Sequence, residues 1–339
     1  MKALVIHGKQ DLREEDVPTP EPGPGEVRVR MAFGGICGSD LHYYENGANG
    51  AFVVREPLIP GHEVSGTVDL DPSGVLTAGT AVTVHPATFG TPMEGLEDSP
   101  HLWPNGAYLG SASTWPHTQG GMSEFAILRH DMIRVLPPSL PLRRAALAEP
   151  LAVGLHGISL AGGVAGKSVL VSGSGPIGLL AAAAALAGGA RQIVCSDVLP
   201  GPLERARRLG VHGTLQVPRD DIPTQAFDVV LECSGVPAAV NAALAAGRRA
   251  GTYVQLGMLP NEPVGINLSP MISAELTVHG SFRFNDEIDA AVELLDRSPG
   301  IEDVITHEIP ATRAVEAFAI AADSQASGKV LVSLWQDGD

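Results

Sequence analysis

The stretch Ser168-Val-Leu-Val-Ser172-Gly173-Ser-Gly175-Pro176-Ile177-Gly178 decides the fold. A short apolar run rich in β-branched residues reads as a strand buried on both faces. The proline then opens an Ala- and Leu-rich helix over Pro176–Ala187, at a position where its missing N–H is no loss. A lone G-x-G-x-x-G says little, but between a strand and a helix it has the context its mechanism needs. The glycines permit a tight turn and let backbone N–H groups approach a pyrophosphate at the positive end of the helix dipole. Gly173, Gly175, Pro176, Ile177 and Gly178 are therefore candidates for cofactor binding. A second strand, Gln192–Ser196, runs into Asp197, nineteen residues beyond Gly178. A carboxylate there accepts ribose hydroxyls and repels a 2′-phosphate, which favours NAD over NADP, although Arg205 and Arg207 downstream would soften that repulsion.

Strand and helix patterns alternate on either side of this unit. Leu203–Leu209 reads as a helix, Asp228–Glu232 as a strand, Ala238–Ala246 as a helix and Gly251–Leu256 as a strand. Such alternation means βαβ units and a doubly wound parallel sheet. Before about Leu147 the character differs. Short runs such as Val27–Ala32, Glu63–Val68 and Ala81–Val84 are separated by Gly and Pro, which predicts a β-rich domain with long loops, Phe89–Gly121 among them. The last sixty residues return to mixed short elements and end in the strand candidate Lys329–Leu334. The class is α/β.

Composition narrows the partners. The 339 residues carry 22 basic and 38 acidic side chains, net −16, with no basic run to meet phosphates, so nucleic acid and anionic membrane are poor partners. Three cysteines, Cys37, Cys195 and Cys233, make no disulfide framework and point to a reducing cytoplasm. The N-terminus becomes charged too early for a signal peptide. The most apolar stretch, Ile177–Ala190, is too short to span a bilayer and reads as a buried helix.

The reactive side chains gather in two places, Gly34–Tyr44 (GGICGSDLHYY) and Pro60–Gly66 (PGHEVSG). A Cys37 thiolate with the His62 imidazole is a soft pair suited to Zn2+. A carboxylate from Glu63 or Glu149 would make three protein ligands and leave a fourth position open, as catalytic zinc requires. Spacing alone does not establish this, because Cys37 and His62 are 25 residues apart.

Together with Ala148–Val153 (AEPLAV), GSGPIG and Asp197, these stretches resemble the zinc-dependent medium-chain dehydrogenase/reductase superfamily. Within it they resemble the sorbitol dehydrogenase branch, and through GGICGSDLHYY and Gly280–Phe284 (GSFRF) most closely its L-idonate 5-dehydrogenases. The likeness runs through nearly the whole chain. It implies a GroES-like β-rich catalytic domain over residues 1–150, rejoined by 280–339, and an NAD-binding Rossmann domain over 151–279. It implies zinc on Cys37, His62 and Glu63, with Glu149 beside the metal, reached directly or through water, and with Asp40 orienting His62. Ser39 and His42 match the relay that carries the alcohol proton away, with Glu149 counted among the catalytic groups. Tyr43, Glu149 and Arg283 match substrate contacts, and Arg283 could pair with a carboxylate. Leu256, Gly257, Met258, Ser281, Phe282 and Arg283 complete the cofactor site. The implied reaction is NAD-linked oxidation of a secondary alcohol on a polyol or sugar acid, by a homotetramer or homodimer.

Two features depart from the family. Many relatives hold a second, structural zinc on four close cysteines, whereas His85–Gly121 contains none, so only the catalytic metal is expected. That lobe would then be held by packing of Trp103, Tyr108 and Trp115 or by a neighbouring subunit. Pro202 stands where sorbitol dehydrogenases place an arginine beside the ribose-binding acid, which loosens the preference for NAD. Two rival readings are a zinc-free quinone or enone reductase, and a nucleotide-binding structural protein. The four candidate ligands speak against the first, and the intact Ser39, Asp40 and His42 against the second.

Overall fold

A computed structural model describes residues 1–335. After an N-terminal hairpin of Lys2–Gly8 and Asp11–Asp16 come β1 (Glu26–Gly35), helix α1 (Gly38–Asn46), β2 (Glu63–Leu70), β3 (Ala81–Val84), β4 (Phe125–Arg129) and β5 (Ile133–Val135). They pair antiparallel in the order β5–β3–β2–β1, with β4 also on β1. In β1, Val27, Val29 and Met31 are buried while Arg28 and Arg30 are partly exposed, the alternation of a sheet with one wet face.

Helix α2 (Ala148–Leu160) leads into six parallel strands: β6 (Ser168–Ser172), β7 (Gln192–Asp197), β8 (Gly213–Gln216), β9 (Phe227–Glu232), β10 (Gly247–Gln255) and β11 (Thr277–Gly280). Their order is β8–β7–β6–β9–β10–β11, so the sheet grows outward in both directions from its first strand, as in a Rossmann fold. All five residues of β6 are buried, as its unbroken apolar run requires. Helix α3 (Pro176–Ala187) follows the glycine turn and buries Gly178 to Ala185. Its small side chains let α2 approach closely, since a Cβ on Gly154 would lie 2.9 Å from the Ala181 Cα. Among the described residues, no helix is long and apolar enough to cross a membrane.

Helix α4 (Ile288–Arg297) and strands β12 (Ile305–Pro310) and β13 (Lys329–Ser333) complete the description. Strand β13 pairs antiparallel with β1 and parallel with β12, so the first sheet takes strands from both ends of the chain. One hydrophobic core contains Val169, Leu179, Leu231, Phe284, Leu295 and Leu331 together, and it welds the two sheets along a shared seam. Residues on β1, β2 and the start of α2 meet at that seam.

Candidate active site

Cys37 caps α1 immediately after β1, and His62 and Glu63 open β2 on the neighbouring strand. Gly61 precedes them at φ +98°, a left-handed turn that a side chain would strain, and a Cβ there would also meet Met122 at 2.7 Å. One donor atom each from Cys37, His62 and Glu63 lies within 4.8 Å of the others, the one cluster of three such groups among the described residues. Asp40 has its oxygens taken by the backbone N–H groups of Cys37 (2.9 Å) and Gly61 (3.2 Å). Asp40 thereby fixes the backbone beside Cys37 and His62, and its charge acts on the His62 imidazole. Burial drives the His62 imidazole toward neutrality, yet the Cys37 sulfur and the Asp40 and Glu149 carboxylates outweigh it and raise its pKa well above the usual range. The pocket demands positive charge.

Glu63 reaches across β1. It lies opposite Gly35 in the ladder, and its carboxylate meets the Lys329 ammonium of β13 at 2.6 Å, with both side chains buried. Lys329 also donates to the Ile36 carbonyl at 3.1 Å. A Cβ on Gly35 would stand 2.1 Å from Glu63 Oε2, so the missing side chain makes the crossing possible. Lys329 had been read only as the first residue of a strand.

Glu149, in the first turn of α2, is buried beside this cluster and outside the three-donor set. Its Oε1 accepts a 2.6 Å hydrogen bond from the Tyr108 hydroxyl. The Arg283 guanidinium stacks on the Tyr108 ring at 4.0 Å and over Phe282 at 4.7 Å. Burial lowers the Arg283 pKa, against the pull of Tyr108, Glu149 and Tyr43. Arg283 also adopts φ +55°, which costs a residue with a Cβ about 1–3 kcal/mol and is the kind of strain found at working sites. Outside it opens a cavity of about 580 Å³ walled by Phe52, Trp103, Trp115 and Phe282.

Ser39 and His42 stand three residues apart on α1, the first half-buried and the second exposed. Tyr43, expected to touch substrate, is buried on the inner face of α1. Its hydroxyl accepts from the Ala112 N–H at 3.1 Å and shares a proton with Ser111 Oγ at 3.3 Å.

The nucleotide candidates line one rim, the carboxyl ends of β6, β7, β10 and β11, where open α/β sheets bind ligands. Gly173 turns at φ +88°, and a Cβ on Gly178 would lie 1.9 Å from the Gly173 carbonyl oxygen, so helix and turn close only with glycine there. Proline at 176 opens α3, with Gly175 as its cap and Ile177 half-buried. Asp197 accepts from the N–H groups of Ser174 (2.8 Å) and Leu199 (2.9 Å), which locks its carboxylate against the turn. Arg205 is buried and donates to the Ser324 and Gln325 carbonyls, and Arg207 pairs with Glu204. Leu256 packs under Gly157 of α2, and Gly257 follows it. Met258 and Phe282 are exposed at the rim, and the buried Ser281 hydroxyl has no partner among the described residues.

Of the three aromatic residues expected to hold the lobe, Tyr108 is buried, while Trp115 is 64% exposed and meets His117 edge-on. Polar ties join the lobe to the rest of the molecule. His85 Nε2 meets the Asn285 carbonyl at 2.7 Å, Asn285 Nδ2 donates to the Asp98 carbonyl at 3.0 Å, and His101 sits edge-on to His156, which pairs with Glu287 at 2.7 Å. Trp103 donates to the Leu96 carbonyl within the lobe, and Tyr108 ties the lobe to Glu149.

Comparison with known proteins agrees with this geometry. Residues 23–138 match the alcohol dehydrogenase GroES-like domain and residues 176–297 the zinc-binding dehydrogenase family. Sorbitol dehydrogenase of Macaca fascicularis is 36% identical over 333 residues, covering 93% of this chain and 91% of that one. L-idonate 5-dehydrogenase (NAD(P)(+)) of Escherichia coli is 34% identical, covering 97% of each. The crystal structure of L-idonate 5-dehydrogenase from Escherichia coli superposes with a TM-score of 0.91 at 32% identity, covering 98% of this chain and 97% of that one.

Proposed function

This chain belongs to the zinc-binding dehydrogenase family, and from that premise we propose that it oxidises a secondary alcohol of a sugar acid with NAD, the L-idonate 5-dehydrogenase reaction being the first candidate. The observation that carries the acid is Arg283: a guanidinium on a strained backbone, stacked on Tyr108 and lining a cavity of about 580 Å³, with no carboxylate paired to it among the described residues.

The donor set fits zinc. A sulfur, an imidazole and a carboxylate converge, and the negative charge around His62 calls for a cation. Zinc held by Cys37, His62 and Glu63 would supply the Lewis acidity that lowers an alcohol's pKa. The chain's own residues do the rest. Ser39 passes the alcohol proton toward His42, and His42 releases it to solvent. Arg283 grips the substrate carboxylate, which turns the reacting carbinol toward the nicotinamide. Bound NAD+ would supply the hydride acceptor, so that the products would be a ketone, NADH and the proton relayed to solvent. Asp197 holds the ribose hydroxyls, and the engagement of Arg205 and Arg207 elsewhere supports NAD over NADP. We assign residues 1–150 with 280–339 to the catalytic domain and 151–279 to the nucleotide domain. The unpaired outer edge of β11 supports a dimer or tetramer.

The test is an absorbance assay of idonate- and gluconate-type acids against sorbitol and xylitol, with NAD and NADP, before and after chelation. We expect chelator-sensitive NADH formation, highest with an acid. Arg283→Ala should raise KM for the acid about tenfold or more and leave a neutral polyol little changed. Equal losses on both would remove the acid and leave a neutral polyol as the substrate class.

A further inference from the structure

Tyr108 lies in the lobe, on a two-residue strand, Ala107–Tyr108, paired with Ala87–Thr88. Nothing in the proton relay or the three-donor set uses it. Yet it contacts three ionisable groups of the site. Its hydroxyl donates to Glu149 Oε1 at 2.6 Å, its face carries Arg283 at 4.0 Å, and it packs edge-on to His62 with centroids 5.4 Å apart. Both side chains are buried, which strengthens this hydrogen bond relative to one in water.

The consequence concerns Glu149. A buried carboxylate beside a cation site has two places to go: onto the cation, or onto a donor that holds it back. Glu149 is bonded to a side chain that itself packs against His62, so it lies beside the cluster, but it is outside the set of converging donor atoms. The Tyr108 hydroxyl binds one of its two oxygens, Oε1, and so ties the carboxylate to the lobe. Resting on the metal reading above, we infer that Tyr108 is a positioning residue that keeps Glu149 off the metal and so reserves the fourth coordination position for the substrate alcohol. The same ring fixes Arg283 relative to that position, so a single side chain sets the distance between the carboxylate-binding end of the site and its reacting end. Hydroxyl and ring face are separable: phenylalanine keeps the stack and loses the hydrogen bond, while leucine loses both.

Cobalt(II) in place of zinc tests this, because its visible spectrum reports coordination number and thiolate ligation where zinc is silent. Wild type should show a sulfur-to-cobalt charge-transfer band from Cys37 and the intense visible bands of a four-coordinate ion. Tyr108→Phe should keep the charge-transfer band, lose visible intensity as Glu149 joins the metal, and lower kcat/KM about 10- to 100-fold. Adding Glu149→Gln to Tyr108→Phe should return the spectrum to the wild-type form, since an amide is a poor ligand. The ratio of KM values for acid and neutral substrates should stay unchanged in Tyr108→Phe and collapse in Tyr108→Leu. An unchanged spectrum in Tyr108→Phe, or a change that Glu149→Gln does not reverse, overturns the inference and leaves the metal reading standing. A wild-type protein that takes up cobalt without the charge-transfer band overturns both.

Discussion

Gly35 shows how an absent side chain can define a metal-ligand geometry. Glu63 belongs to β2 and Lys329 to β13, with β1 between them, and their ion pair passes over Gly35 where a Cβ would sit 2.1 Å from Glu63 Oε2. Gly35→Ala should push the carboxylate off its line and reduce metal affinity about 10- to 100-fold, read as zinc retained per chain after dialysis. Gly38→Ala, one turn position on, meets nothing within 4 Å and should retain metal like the wild type; equal losses in both variants would refute the steric argument. Cys37, His62 and Glu63 stood out in the sequence through resemblance to known motifs, with Glu149 as the alternative carboxylate; the structure gathers donor atoms of the first three and leaves Glu149 outside that set. Lys329 and Tyr108 were not legible as site residues. A lysine opening an apolar strand reads as an exposed terminus, and a tyrosine in a glycine-rich loop reads as packing. Only the return of β13 beside β1 and the folding of the lobe onto α2 bring them to the site. For Tyr43 the motif match says nothing about which face of α1 turns inward, and the structure puts it on the buried face.

Among the elements, legibility followed burial. Strand β6 and helix α3 have the bounds read from sequence, because a fully buried run and a proline-opened alanine helix leave no alternative. Strands β8 and β11 escaped notice. Gly213–Gln216 is half-exposed throughout, and Thr277–Gly280 is largely exposed at the sheet's end, so neither has the apolar signature of a core strand. For β11 the exposure has a physical consequence. Its outer edge is unpaired, Val278 is 43% exposed, and Ile272 just before it is 71% exposed. An unguarded edge beside apolar side chains is a template for another strand. We expect a second copy to cover it, and Val278→Lys with Ile272→Lys to shift the protein toward monomer in sedimentation while its absorbance-monitored unfolding stays cooperative. Unaltered assembly in that variant would place the contact elsewhere.

Over the whole molecule, the histidine ties decide how the lobe, α2 and the loop bearing Arg283 stay in register. His85 and His101 face different surroundings, Arg134 and Asp289 for the first and His156, Glu287 and His85 for the second. In both, burial is the largest influence and lowers the pKa below the ordinary 6.5. The sign follows directly. Above 6.5 both rings are neutral whether the lobe is docked or loose, and the docking stability they support is complete. As the pH falls through 6.5 the loose state takes up protons first, and stability drains away until the docked rings protonate at their lower values. Glu287 has its pKa lowered despite burial, by His156 and by backbone N–H donors, so it stays ionised over this window and continues to hold His156. Loosening should therefore begin in residues 85–121 and reach Arg283 through Asn285, whose carbonyl His85 holds. Amide exchange in the lobe should accelerate between about pH 7.5 and about pH 5.5 while the parallel sheet stays protected, and KM for a sugar acid should rise over the same interval. His85→Gln with His101→Gln should flatten both responses. Exchange that rises uniformly through both sheets, or a lobe indifferent to acid, would show that the loop carrying Arg283 is held in place by something other than these imidazoles.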